Sequence, residues 1–396
     1  MPRVYPLLLL SCALMATGCS RDEPAAPAQA PRTQTARAPI GTLPLGDGAA
    51  FDLVATGQGA ALIWAAPGPC AGSLRMLSLD AGGQPLGEHR PMVDGCAAAT
   101  AVRGSGAQIT ELAAAAAAGK LGLAWVLERG GTAEVLATYG DDSARALAPP
   151  TSLAATVASA EAPDGRLAMT ASDTGQLLIA YRTTPGPCEG GAGGRCAHYV
   201  ARPHPDPSPG RGRGVEQREV PEPCRRMLPG GQWLAGTWFD AVCARQPRPT
   251  TTVFVIRPEI SYAAAVEALP GCGPWSLSPA GARAILLGEC PEGLSAHVLT
   301  PDGQGGRELR GIEREAGCRR GRPLLRLRQP EKLAEEVELR SPSSRLGPLL
   351  PPSLGGEGAR AAFTGQVLVV AAPVRGGIEV RSYACTRDGR IERVDR

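Results

Sequence analysis

Short apolar runs separated by Gly-, Pro- and Asp-bearing breaks recur along this chain from about residue 50 to its end. One phrase repeats: small and apolar residues, a Gly-bearing turn, then a strongly apolar stretch. It runs from Phe51 to Trp64 around Gly57-Gln58-Gly59, and returns from Leu112 to Trp125, Leu167 to Tyr181, Trp275 to Leu287 and Ala361 to Val370. Runs of this length between turn residues read as strands. A second hairpin half follows several copies. Leu74 to Leu79 precedes Asp80-Ala81-Gly82-Gly83, Ala296 to Leu299 precedes Thr300-Pro301-Asp302-Gly303, and Ile378 to Tyr383 precedes Thr386-Arg387-Asp388-Gly389. Alternating strands that end in Asp-Gly turns are a strong hairpin signal. Two weaker units join Trp233–Phe239 to Thr252–Ile256, and Leu324–Leu327 to Val337–Leu339. The Ala113–Ala118 run has high helix propensity, yet its place before a Gly turn predicts an inner strand at a crowded axis.

Together these make about seven units of roughly 40 to 60 residues, the scale of four-stranded blades around an axis. The expected fold class is all-β: a β-propeller of seven blades, with six or eight also compatible and a pair of β-sandwich domains as the alternative. In its phrase of an apolar strand to Trp64, then Leu79-Asp80, Gly83 and Leu86, the chain resembles the β-propeller lipoproteins of high-GC bacteria. That resemblance lies in a repeat pattern over most of the chain.

The first 18 residues follow a different pattern. Arg3 precedes an apolar stretch from Leu7 to Ala16, and Thr17-Gly18-Cys19 follows. A positive start, a short apolar core and small residues mark an export signal, and the core falls short of the ~20 residues that span a bilayer. Ala16-Thr17-Gly18-Cys19 resembles the lipobox of bacterial lipoproteins, departing from it at Ala16, where that family prefers Leu. The resemblance implies a signal peptide at 1–18 and lipid on Cys19, with two or three acyl chains holding the chain at ~0.8 kcal/mol per buried CH₂. Residues 19–41 are Pro/Ala-rich without apolar period and read as a disordered tether. Residues 42–396 are then the propeller domain, with a long Gly/Pro/Arg-rich loop expected at about 183–231. The expected location is the bacterial cell envelope, anchored in a membrane, with Ser20 after the Cys pointing to the outer one.

Net charge is only +3, so global charge gives no argument for nucleic acid. Of 12 cysteines, Cys12 falls in the signal and Cys19 takes the lipid, which leaves ten. An even number in an exported chain favours disulfides. Neighbours in sequence give Cys70 with Cys96, Cys188 with Cys196, Cys224 with Cys243 and Cys272 with Cys290, leaving Cys318 for Cys385. There is no CxxC, and only His89, His198, His204 and His297 are present, so no metal or cofactor is expected.

Catalytic signals are sparse. No Gly-x-Ser-x-Gly elbow, HExxH or P-loop occurs. Ala171-Ser172-Asp173-Thr174-Gly175 is similar to the Asp-box of sialidases but departs from it at Ala171 and Leu178, and that box is itself a structural turn. The strongest charge feature is the run of eight arginines from Arg307 to Arg328, of which Arg307, Arg310, Arg314, Arg319, Arg320 and Arg322 are candidate anion-binding residues. The bland counterpart is a solvated sheet edge, where charge blocks pairing between molecules. The functional expectation is a membrane-anchored binding or scaffolding lipoprotein that recognises an envelope protein or glycan through its loops. The alternative is a propeller hydrolase or lyase acting on glycans, with carboxylates converging on the axis.

Overall fold

The computed structural model describes residues 43–44, 50–157 apart from 69, 71 and 103, 167–171, 177–182, 198–203, 215–220, 226–230, 233–239, 251–256, 262–268, 275–280, 283–299, 305–329, 332–338 and 350–394 apart from 357. Apart from a short 3-10 turn at Pro352–Leu354, the elements in them are β-strands. Strand β1 (Leu43–Pro44) comes first. Blade 1 is β2 (Phe51–Thr56), β3 (Gly59–Ala66), β4 (Ser73–Leu79) and β5 (Arg90–Asp94). Blade 2 is β6 (Gln108–Ala117), β7 (Lys120–Arg129), β8 (Thr132–Asp141) and β9 (Thr151–Val157). Blade 3 is β10 (Leu167–Ala171), β11 (Leu177–Arg182), β12 (His198–Pro203) and β13 (Val215–Val220). Blade 4 is β14 (Arg226–Gly230), β15 (Trp233–Phe239), β16 (Thr251–Ile256) and β17 (Tyr262–Ala268). Each of these is an antiparallel sheet in sequence order.

Blades 5 and 6 share a strand. After β18 (Trp275–Ala280), β19 (Arg283–Cys290) and β20 (Gly293–Leu299), the long β21 (Gly305–Arg319) pairs with β20 as far as Ile312. From Glu313 onward it pairs with β22 (Arg322–Gln329), which pairs in turn with β23 (Lys332–Glu338). Gly311 sits at the changeover with φ +58°, a conformation that suits glycine. The chain thus enters blade 6 at its outer edge and works inward, the reverse of blades 1 to 5, and β23 lies beside β18. Blade 7 is β24 (Arg360–Phe363), β25 (Val367–Val374) and β26 (Gly377–Cys385), with β27 (Ile391–Arg393) and β1 both paired to the free side of β26. The first and last strands therefore complete one sheet and close the ring. Inner strands follow one another as β24, β2, β6, β10, β14, β18 and β23, so the fold is a seven-bladed β-propeller.

The apolar runs are continuous because each blade is covered on both faces. In β2 and β3, Leu53, Ala60, Leu62 and Trp64 face blade 7, while Val54, Ala61, Ile63 and Ala65 face blade 2. In β7, Leu121, Leu123, Trp125 and Leu127 face blade 1, while Ala124 and Val126 face blade 3. The alanines of β6 split the same way, Ala114 and Ala116 against Ala113 and Ala115. Small residues permit this close approach of inner strands, and the local helix propensity yields to the packing.

Two-residue turns at Ala118-Gly119, Gly130-Gly131 and Arg320-Gly321 all have positive φ at both positions, the hairpin geometry that matches strand twist. The segment 183–231 corrects the expectation of one long loop. It contains β12, β13 and β14, so His198 lies in a strand opposite Val220. Pro and Gly density there marked the connections, and short polar strands such as Val215–Val220 carry too weak a pattern to show between them. Cys70 is bonded to Cys96 and Cys318 to Cys385, two of the five pairings read from the sequence, and Cys290 is also in a disulfide. Cys188, Cys196, Cys224, Cys243 and Cys272 lie outside the described residues, as do Cys19, the tether, His204 and Ser172–Gly175 of the Asp-box-like stretch.

Candidate functional site: a polar cleft and its supports

Three groups of polar residues stand out from the apolar packing. The first sits at the axis. Asp52 on β2 is 1 % exposed, and its Oδ2 accepts the Ala114 N–H of β6 at 2.8 Å while Oδ1 accepts the Leu53 N–H at 2.9 Å. Glu111 on β6 likewise accepts the Leu167 N–H of β10 at 3.1 Å. Arg360 on β24 reaches Asp52 at 3.8 Å and lies over the Phe51 ring at 5.6 Å. These inner-strand carboxylates tie neighbouring blades through backbone amides, and the hydrogen bonds offset the cost of burying a polar group.

The second group is built around Glu134 on β8, fully buried. Its oxygens accept the N–H groups of Thr100, Ala101 and Val102 at 2.8 to 3.0 Å, the Thr100 hydroxyl at 2.8 Å and the Ser152 hydroxyl at 2.5 Å. Burial pushes the carboxyl up, and the hydrogen bonds from Ser152, Thr100 and Val102 outweigh it, so the group is held below its ordinary value. Trp125 Nε1 donates to the Gly95 carbonyl at 2.9 Å. The segment after Cys96 is thereby fixed between blades 1 and 2.

The third group lines a cleft of about 230 Å³ where blades 1 and 2 meet, at the end of the ring that carries the β2–β3 turn. Thr56, Gln58, Ser78, Glu88, Arg90, Asp142, Ser143 and Arg145 give it hydroxyl, amide, carboxylate and guanidinium groups. Asp142 Oδ2 accepts the Gly57 N–H at 2.7 Å, and Arg90 Nη2 donates to the Ser143 carbonyl. Asp141 folds the adjoining turn, accepting the Ser143 hydroxyl and the N–H groups of Arg145 and Ala146, and the Ser143 bond holds its carboxyl low. Leu86, at 44 %, is the exposed large apolar side chain among the described residues, and it stands on the rim. A concave site with convergent polar groups and one apolar edge suits a small polar ligand or a side chain of a larger partner.

The sequence-derived candidates distribute differently. Arg310, Arg314, Arg319, Arg320 and Arg322 are spread along β21 and into β22, and Arg307 is at the far end of the same strand. Cross-strand carboxylates meet several of the run: Arg314 with Glu289 at 3.4 Å, Arg319 with Glu336 at 2.9 Å, Arg326 with Glu336 at 3.6 Å and Arg328 with Glu315 at 2.8 Å. The run is thus a laced sheet edge, and the local excess of positive charge shrinks once Glu289 and Glu336 are counted. His89 lies edge-on to Trp64 at 5.4 Å, its Nδ1 accepting from Arg75 at 3.0 Å, and His297 is buried in β20. The cleft residues were missed in the sequence because Gly57 and Asp142 are 85 positions apart; no local spacing announces them.

No family model matches the chain, and no curated protein matches it. Among solved structures, prolyl oligopeptidase B from Galerina marginata is similar with a TM-score of 0.46 and 8 % identity, over 87 % of this chain and 50 % of that one. A Dos1 propeller is similar with a TM-score of 0.40 and 10 % identity, over 90 % of this chain and 86 % of that one. Trypanosoma rangeli sialidase gives 0.34 and 9 %, over 90 % and 57 %. The chain spans about half the length of the oligopeptidase and of a second prolyl endopeptidase. The propeller assignment rests on this chain's own strand pairing.

Proposed function

We propose that this chain is a lipid-tethered, extracytoplasmic binding or scaffolding propeller, held in the envelope through Cys19, that engages a protein or glycan at the cleft between blades 1 and 2. The observation that carries the binding reading is the cleft itself: eight polar side chains from two blades around one concavity with an apolar rim. Location in an oxidising compartment is supported by the disulfides Cys70–Cys96 and Cys318–Cys385, since such bonds persist outside the cytosol. Binding is favoured over glycan hydrolysis because Asp52 and Glu111, the buried inner-strand carboxylates, are engaged with backbone amides of the next blade.

A photoreactive residue in place of the exposed Glu88, in the full chain and in its native envelope, tests the site. It is expected to trap an envelope protein or glycan, while the same probe at Arg375, on the β25–β26 turn at the opposite end of the ring, does not. Equal trapping at both positions, or none at Glu88, would refute the cleft reading. The anchor is tested separately: Cys19→Ala should move the protein from the membrane to the soluble fraction, and an unchanged fractionation overturns the tether.

A further inference from the structure

Two arginine-bearing turns that are distant in sequence meet at the outer rim of blades 6 and 7. Cys318 on β21 is bonded to Cys385 on β26, and the Cys318 N–H donates to the Gly389 carbonyl at 2.9 Å. The β21–β22 turn, Arg319 to Arg322, therefore lies beside the β26–β27 turn, Thr386 to Arg390. Between them these turns carry Arg319, Arg320, Arg322, Arg387 and Arg390, five positive charges, against Asp388 within the turns and Glu336 of β23 beside them, two negative. All five arginines are exposed. Glu336 meets Arg319 and Asp388 meets Arg390, at 2.9 and 3.1 Å.

Both turns are held rigidly. Arg320 has φ +51° in a two-residue hairpin, Thr386 Oγ1 donates to Asp388 and accepts the Arg390 N–H, and Arg326 Nη2 donates to the Cys318 carbonyl. The guanidinium groups are thus presented from a stapled platform. β1 runs antiparallel to β26 with Leu43 opposite Ile378 and Pro44 opposite Gly377, so the chain enters β1 from the end of β26 that carries Cys385. The entry of the chain into β1 and the β26–β27 turn, the blade 7 half of the arginine rim, share the outer edge of blade 7.

We infer that this rim is a docking surface for an anionic phospholipid bilayer, laid against the membrane to which the N-terminus is tethered. The inference rests on the tether reading for its biological setting, and the surface itself is defined by the two turns. Arginine forks suit phosphate oxygens, several arginines on one face sum their attraction, and the interaction falls with salt.

The test uses the full chain bearing Cys19→Ala, so that no lipid anchor contributes, mixed with vesicles of phosphatidylcholine alone or of phosphatidylcholine with phosphatidylglycerol. Sedimentation with the anionic vesicles only, reversed by high salt, is expected. Arg320→Asn with Arg387→Gln should weaken that binding about 30-fold, since ~1 kcal/mol per arginine near such a surface is about five-fold each. Arg375→Gln, at the other end of β26, should leave it unchanged. Inorganic phosphate should displace the protein from vesicles no more than sodium chloride of the same ionic strength; displacement by phosphate well beyond that of the matched chloride would show a free-phosphate site and overturn the bilayer reading. Equal binding to both vesicle types, no loss in the double variant, or retention by an anionic glycan resin without vesicle binding would overturn it as well. Fractionation of the lipidated chain reports on the tether independently, so failure of either reading is told apart from failure of the other.

Discussion

Removing the Glu134 carboxylate should loosen the seam between blades 1 and 2. In Glu134→Gln the side chain keeps its volume, but its amide nitrogen now faces donors in place of an acceptor. Of the three backbone N–H groups it served, that of Val102 belongs to a residue 1 % exposed, while Thr100 and Ala101 can turn to water. A net worth of roughly 1.5–3 kcal/mol for one charge-assisted bond, with the solvent-recoverable ones discounted, gives about 3 kcal/mol. The sign with pH follows from the depressed carboxyl. Its stabilisation is complete above the ordinary carboxylate value of 4.5 and is lost as pH falls toward the lower folded value. Urea unfolding of the wild type and Glu134→Gln should therefore differ most at neutral pH and converge in acid. Limited proteolysis should cut the variant first between Cys96 and Val102. Equal stability at neutral pH, or a gap that widens in acid, would refute the account of Glu134 as a charged anchor.

Other outcomes follow from the same contacts. Gly59→Ala should cost at least ~2 kcal/mol in thermal or urea unfolding, because φ is +148° and a Cβ would lie 2.3 Å from the Leu79 carbonyl oxygen. Gly122→Ala, whose Cβ would press only on the movable ends of Met169 and Leu177, should cost less, about 1 kcal/mol. Cys318→Ser with Cys385→Ser should lower stability by about 4 kcal/mol in the chain-entropy account, with 67 residues enclosed, and the loss should show first as amide exchange in β21 and β27. Asp52→Ala leaves the Ala114 N–H buried without its acceptor and should destabilise by ~2 kcal/mol, read by denaturant midpoint.

Strand identity and blade scale were legible in the chain because both depend on short-range pattern. A two-faced strand such as Gly59–Ala66 must be apolar throughout, and its hairpin turn favours glycine, so the phrase returns in five of the seven blades. Neighbouring cysteines in one blade, Cys70 and Cys96, were legible for the same reason. The polar strands His198–Pro203 and Val215–Val220 were not, since their pattern is weak and their surroundings are rich in Pro and Gly. The arginine run was visible as charge, but its pairing with Glu289 and Glu336 was not, because those carboxylates come from β19 and β23.

The sequence by itself determined an all-β chain, its repeating hairpins and about seven units, since alternation, turn residues and side-chain size act over a few positions. Tertiary structure alone decided the rest. It placed β1, two residues long and without local signal, on β26 to close the ring, and it ran blade 6 from the outside inward when β21 continued past Gly311. It also brought Gly57 to Asp142 and the Arg320 turn to the Arg387 turn. Such juxtapositions depend on which blades become neighbours, and that is settled only when inter-blade packing offsets the entropy of closing long loops.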